Sequence, residues 1–291
     1  MKFARLLTRL LMALMFMGLT SPINATCFKP LSDPKSNNTE DWSILIDHKG
    51  DKADDADIDF IQDLSNNEYA IGNKINLDFY SVTFNRHPTK SIAEFFLEIR
   101  ENLGTIIFKP SDVGEFRDYP YYARGLAGNS GNVPVGLDRS RVAVNQKKWN
   151  SNNPKGALMN FVLSTPAISF DPKKDLLTVV HEEGDVLVTC ASDTDFIFST
   201  VHTKNNRWHP VSGNRGFGVS DNGNGTWSFY VMAADRKSAY LPIKLGLGPD
   251  VFAEGHKVWV GMLDNFKRKY FSLTPRDIVS DNHEKYDFPI N

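Results

Sequence analysis

Apolar residues recur along this chain with two different spacings, and the spacing separates helices from strands. In IAEFFLEIRENL, Ile92, Phe95, Phe96, Ile99 and Leu103 fall three and four apart, the period of a helix with one buried face. Ser91 and Glu94 stand just before that face in the reciprocal capping arrangement, and Gly104 follows where helices commonly close. The spacing predicts a helix over Ile92–Leu103. In HKVWVGMLDNFKRKYFS, Val258, Trp259, Met262, Leu263, Phe266 and Tyr270 share one side while Lys257, Asp264, Lys267 and Arg268 share the other. This predicts a second helix over His256–Phe271, laid on a sheet rather than on a membrane because its polar sector is short.

Elsewhere the period shortens to two. KINLDFYSVTF (Lys74–Phe84) alternates in part and is rich in β-branched and aromatic residues, as a strand requires. WSILI (Trp42–Ile46) is an apolar run of strand length. From Ala157 onward ALMNFVLS, DLLTVVHE, DVLVTCA, DFIFSTVHT and GTWSFYVMAAD read as successive strands joined by short connections. EEGD (Glu182–Asp185) reads as a tight reversal, and SDNGNG (Ser220–Gly225) as a hairpin turn because Asn-Gly readily takes positive φ. Consecutive hairpins build an antiparallel sheet, and the β-helix-β alternation of a parallel sheet is missing. The expected fold class is therefore α+β, an antiparallel sheet packed by at least two amphipathic helices. No internal repeat is visible, which excludes solenoids and propellers. The tail from Thr274 is polar with scattered aromatics, and no function can be read from it.

The leader changes the picture of where the protein works. Lys2, Arg5 and Arg9 precede the apolar run Leu10–Leu19, and Ala25 offers a small residue for cleavage, the form of a secretory signal over residues 1–25. That run is too short for a membrane span and no later segment rivals it, so the expected location is secreted or periplasmic. Residues 26–41, with two prolines, read as an exposed arm, which leaves 42–291 as one domain. The chain carries 33 Lys+Arg against 35 Asp+Glu, and the leader removes only basic residues. An acidic mature protein argues against nucleic-acid binding through phosphates. Two cysteines in an exported chain, Cys27 and Cys190, predict a disulfide; the competing reading is an inert buried thiol at Cys190 and a disordered Cys27. Asp47, Asp51, Asp54, Asp55, Asp57 and Asp59 read as a solvated acidic loop, a bound cation being the alternative. Tyr119, Tyr121, Tyr122 and Arg124 lie in a long irregular stretch, either lining a ligand or partner surface or holding a loop to the body.

The candidate chemistry concentrates in HPVSGNRGFG, His209–Gly218, with the strands on either side. Read as a glycine-rich connection between strands, this stretch brings His202, His209, Arg215 and Tyr230 into one neighbourhood, with Asp235 and Arg236 towards the far strand end. Histidine transfers protons near neutral pH, Arg215 or Arg236 grips a carboxylate or phosphate through paired hydrogen bonds, and Asp235 can orient an imidazole. The catalytic candidates are accordingly His202, His209 and Asp235, and the ligand-binding candidates Ser212, Asn214, Arg215, Tyr230 and Arg236. Ser212 lacks the G-x-S-x-G elbow of a nucleophile, and a zinc site on His202 and His209 lacks a third ligand; no metal or cofactor is called for. The structural alternative has Pro210 fix a turn, the glycines permit tight backbone paths and Arg215 tie a carboxylate across the loop. HPVSGNRGFG, SFYVMAADR and WNSNNPKGAL together resemble a family of uncharacterised bacterial proteins over Trp149–Arg236. The resemblance implies that these segments belong to one fold and carries no activity. The expected function is binding of a small ligand, anionic groups included, or of a surface partner. A secreted hydrolase or effector built on the His/Arg/Asp group is the alternative. The oligomeric state is not indicated.

Overall fold

The computed structural model describes residues 26–28, 39–52, 58–107, 116–119, 144–145, 147–168, 177–204, 208–239 and 250–290. The elements are α1 (Thr39–Ile46), β1 (Ile58–Ile61), β2 (Ala70–Asn85), α2 (Ile92–Glu101), α3 (Leu103–Ile107), β3 (Phe116–Tyr119) and β4 (Leu158–Ile168). They continue with β5 (Leu177–Ala191), β6 (Asp195–Thr203), β7 (Val211–Asp221), β8 (Thr226–Ser238), α4 (Val251–Phe271) and β9 (Ile278–Pro289). The strands form one antiparallel sheet in the order β3-β4-β5-β6-β7-β8-β2-β9, with β1 paired to the end of β6. This is the α+β arrangement that the alternation implied.

The sheet is buried on both faces, and this positions the site. On one face Tyr80, Val82 and Phe84 of β2 join Phe196, Phe198, Phe217, Phe229 and Val231, and the helices α2, α3 and α4 cover them with Phe95, Phe96, Ile99, Ile106, Met262 and Phe266. On the other face Leu77, Phe79, Ile197, Tyr230, Met232 and Ala234 lie beneath Trp42, Leu45, Cys27 and Phe28. Because side chains alternate along a strand, neighbouring residues in β7 and β8 belong to different cores.

Several local expectations hold in form and differ in extent. Ser91 caps α2 and exchanges hydrogen bonds with Glu94, as the capping pattern requires. The helix turns at Asn102 and Gly104 lies inside the short α3 rather than closing α2. Helix α4 begins at Val251, earlier than the apolar spacing indicated, because the Asp250 carboxylate accepts from the Phe252 N–H and Gly255 is carried within the helix. The turn at 220–225 closes β7 on β8, with φ of +75° at Gly223 and +86° at Gly225.

Some local expectations are overturned. WSILI is the end of helix α1: Trp42 and Leu45, three apart, are buried while Ser43 and Ile44 face out. EEGD makes no reversal, since β5 runs straight through it and pairs Glu182–Asp185 with Leu163–Asn160 of β4. The tail forms β9, whose half-buried and exposed residues alternate along the open edge of β2.

Cys27 and Cys190 form a disulfide with Cα atoms 5.8 Å apart. It ties the chain before α1 to β5, and the adjacent Phe28 ring packs edge-on against Tyr230 at 5.5 Å. Of segment 26–41, Cys27 and Phe28 are buried, Thr39–Asp41 open α1, and 29–38 lie outside the described residues. Also outside them lie the leader 1–25, Asp54, Asp55 and Asp57 of the acidic stretch, and Tyr121, Tyr122 and Arg124. Among the described residues, no helix is long and apolar enough to cross a membrane, and no group of three His, Cys, Asp or Glu is placed to hold a metal ion.

The HPVSGNRGFG stretch is neither loop nor turn: from Val211 it is the central strand β7, paired on both sides. None of its glycines has positive φ. They are needed for space instead. A Cβ on Gly213 would lie 2.2 Å from the Ala234 carbonyl oxygen and 2.7 Å from Asp235 Oδ1. Both obstacles sit on a neighbouring strand that cannot retreat, so Gly213→Ala is expected to destabilise by about 3 kcal/mol. Urea unfolding checks this, and a change below about 0.5 kcal/mol would show that β8 yields after all.

Candidate functional site

The N-terminal half of α4 does not sit flush on the sheet. Between them lies a cavity of about 100 Å³, several times the space a single buried water needs. Its walls are mainly apolar: Val186, Phe198, Val211 and Phe217 from the sheet, with Val251, Phe252 and Trp259 from α4. Polar groups enter at Asp78, Thr200, His209, Arg215 and Asp235. Alternation explains the set, since Val211, Gly213, Arg215 and Phe217 share one side of β7 and Asp235 shares its side of β8 with Phe229 and Val231.

Within the cavity lining one guanidinium serves two carboxylates. Arg215 Nη2 donates to Asp235 Oδ2 at 2.9 Å and to Asp78 Oδ2 at 3.4 Å, and the Arg215 side chain is only 13% exposed. The guanidinium carbon also stands 4.1 Å from the centre of the Trp259 ring, so α4 covers the charge with an aromatic face. Burial raises the Asp235 carboxyl to about 7, with Arg215 opposing the rise and Asp78 adding to it. Tyr80, on the same face of β2, donates to or accepts from His256 Nδ1 at 3.0 Å and thereby links α4 to the sheet beside the cluster.

His209 closes another part of the wall. Its Nδ1 lies 2.9 Å from the Val211 carbonyl oxygen, its backbone N–H donates to Gln62 Oε1, and its ring lies so close to β5 that a Cβ at Gly184 would meet it at 2.3 Å. Burial pushes this imidazole down to about 4, a Val211 hydrogen bond opposing and the Arg215 charge reinforcing the drop. The ring is therefore neutral at physiological pH.

Of the residues singled out in the sequence, His209, Arg215 and Asp235 meet at the cavity. The others do not. His202 lies past it at the end of β6, where Asp59 Oδ2 is 3.0 Å from Nδ1 and Phe60 stacks on the ring at 4.8 Å. Ser212, Asn214, Tyr230 and Arg236 face the opposite side of the sheet. There Ser212 donates to the Tyr69 carbonyl, Asn214 holds the end of α1 through the Leu45 and His48 carbonyls, and Arg236 donates to the Leu64 carbonyl at 2.7 Å. Tyr230 is buried against Phe28. The shared neighbourhood expected for His202, His209, Arg215 and Tyr230 does not form: Tyr230, between Phe229 and Val231, points to the opposite face, and His202, in step with Phe198 and Thr200, lies beyond the cavity at the strand end. Asp78 was missed, although alternation places it on the same face as Tyr80, Val82 and Phe84, where a carboxylate stands out.

The arrangement has consequences for chemistry. A histidine base needs an orienting acid and a concave site in front of it. His202 has a carboxylate, Asp59, but does not line the cavity; His209 lines the cavity, but its Nδ1 is engaged by backbone; Asp235 is engaged by Arg215.

No family model matches the chain, and no curated protein sequence does. Among solved structures the chain is similar to the di-domain ARO/CYC StfQ from the steffimycin biosynthetic pathway, at 12% identity and a TM-score of 0.31. That likeness covers 66% of this chain and 49% of the other, so this chain spans about half of that protein's length, and a likeness this distant carries no argument about function.

Proposed function

We propose that the protein binds a small, mostly apolar molecule in the cavity between α4 and the sheet. The observation that carries this reading is a mainly apolar cavity lined by a few polar groups, the general form of a small-molecule site. Binding is favoured over hydrolysis because neither histidine combines an orienting carboxylate with a place on the cavity wall. The Cys27–Cys190 disulfide suits an oxidising compartment, so the ligand would be met outside the cytoplasm, as the basic-then-apolar leader suggests.

Gly255 provides the test. It lines the cavity from α4, and a Cβ there would have one near neighbour, Trp259 Nε1 at 3.8 Å. Gly255→Leu is expected to fill the cavity without strain and, by removing a helical glycine, to hold or raise stability by up to about 1 kcal/mol. Small aromatic molecules that bind the natural protein in ligand-observed NMR should lose binding at least tenfold in the variant. If every such molecule binds both proteins alike, the cavity is not where they go and the reading fails.

A further inference from the structure

A second recess, of about 380 Å³, lies on the opposite face of the sheet from the cavity and is independent of it. It is built on the ends of four adjacent strands, β7, β8, β2 and β9, beside the 220–225 hairpin. The strand register explains its floor. Ser220 pairs with Ser228, Ser228 with Thr83 and Thr83 with Ser280, so four hydroxyls stand in one row across the sheet. The next row along holds Tyr230, Ser81 and Asn282. Beyond it Phe79 and Tyr230 belong to the core beneath Phe28 and Trp42, which closes the inner end of the recess.

Part of this polar floor is held and part is left over. Ser228 Oγ lies 2.8 Å from Thr83 Oγ1 and accepts from Asn222 Nδ2 at 3.0 Å. Among the described residues, the side chains of Ser81, Ser220, Ser280 and Asn282 have no hydrogen-bond partner within the protein. Ser81 is the most telling of them, because it is only 8% exposed and a polar side chain that deep ordinarily finds a partner. Unlike the unpartnered atoms sealed in the interior, its oxygen keeps accessible surface, so it opens on the recess.

Charge narrows the class of ligand. Asp221 is the one charged side chain among the described lining residues, and it is already paired with Arg86 at 2.6 Å and accepts from the Gly223 N–H. Glu284, on the same face of β9, lies off the lining and accepts from the Tyr286 hydroxyl at 3.4 Å. An anion would meet no unpaired cation in this lining, and a cation would have to compete with Arg86. Hydroxyls and a carboxamide donate as well as accept, and so match a ligand whose own groups are uncharged and do both. We infer that the recess binds a neutral saccharide, hydrogen-bonded by Ser81, Ser220, Ser280 and Asn282 over the Ser228–Thr83 row.

The test uses ligand-observed NMR on the full folded chain with four neutral probes, methyl β-glucoside, maltose, cellobiose and N,N′-diacetylchitobiose, and two charged ones, glucose 6-phosphate and glucosamine. At least one neutral probe should bind, and at least tenfold more tightly than either charged one. Ser81→Ala removes a hydroxyl that no protein group uses, so its melting temperature should not fall, while binding weakens about fivefold, as expected for one lost hydrogen bond between uncharged groups. Ser280→Tyr, at an exposed strand position, fills the recess and should weaken binding at least tenfold, with folding verified by its melting curve. Gly255→Leu, which fills the cavity on the other face, should leave saccharide binding unchanged. Binding of no neutral probe, equal or tighter binding of a charged one, or binding that both serine variants leave intact overturns the inference. Loss of saccharide binding in Gly255→Leu with retention in Ser280→Tyr would place the sugar in the cavity and overturn it too.

Discussion

Replacing Arg215 with methionine is expected to lower stability by about 3–5 kcal/mol at pH 8, and by much less at pH 5. Methionine nearly matches the length of the arginine stem and still packs on Trp259, so the loss comes from charge rather than volume. Asp78 and Asp235 would then face each other, each no more than 6% exposed, without the cation they share. The pH dependence follows from the direction of the Asp235 shift. A carboxyl whose folded pKa lies above its unfolded value near 4 contributes stability that is fully present below that value and lost as pH rises through the folded one, about 7 here. Without Arg215, which opposes the rise, Asp235 moves higher and this loss grows. His209 works in the other sense. Held down to about 4, it contributes stability that is present above its unfolded value near 6.5 and lost as pH falls through 4. In the natural protein the two slopes oppose each other between about pH 4 and 7. Removing Arg215 steepens the first and relaxes the second, since the Arg215 charge also depresses His209. Urea unfolding of both proteins at pH 5 and pH 8 checks the prediction; a deficit of equal size at both pH values would mean that the guanidinium acts through packing. Adding Asp78→Asn and Asp235→Asn to Arg215→Met should recover most of the loss, because the buried charges then disappear together.

Cys27→Ser is the second large effect, with an expected loss of about 3–5 kcal/mol. The bond closes a loop of 163 residues, long enough that its main action falls on the unfolded chain, which loses many of its extended conformations. Native contacts add to this. Beside the bond, the Cys27 N–H donates to buried Asp195 Oδ1 at 2.8 Å, and Phe28 occupies the space left by Gly216, where a Cβ would lie 2.2 Å from the ring tip. Untethering residue 27 loosens this plug over Tyr230. The measurement is denaturant unfolding of the natural protein with and without reductant beside Cys27→Ser in both conditions. Reductant should bring the natural protein to the level of the variant and leave the variant unchanged. A reductant effect under about 1 kcal/mol would show that the bond contributes little.

What could be read from the chain was what neighbours in sequence decide. Ser91 and Glu94 cap α2 from three residues apart, Gly223 and Gly225 close the 220–225 hairpin through their own φ values, and the three-and-four spacing of Met262, Leu263 and Phe266 turns α4 onto the sheet. Those preferences act within one turn of helix or one hairpin, so no distant partner is needed to express them. WSILI and EEGD misled for the complementary reason. A five-residue apolar run suits a strand or a buried helix equally, and Glu-Glu-Gly-Asp suits a turn or a strand, until it is known what lies alongside.

The candidate site divides along the same line. His209, Arg215 and Asp235 were visible as chemistry, but Ser212, Asn214, Tyr230 and Arg236 looked equivalent to them. In a strand buried on only one side, polarity marks the outer face; β7 and β8 are buried on both, so polar residues on either side must find partners and neither face announces itself. Asp78 comes to Arg215 from 137 residues away because β2 pairs with β8, a choice made by the closing of the sheet. The sequence by itself determined the capped and periodic helices, the hairpin, the α+β class and the side-chain types available for binding. Only the tertiary structure decided which of those side chains share a face, that Arg215 is already matched by two carboxylates, and that α4 stands off the sheet enough to leave a cavity. Each of these depends on burial shared between segments far apart in the chain.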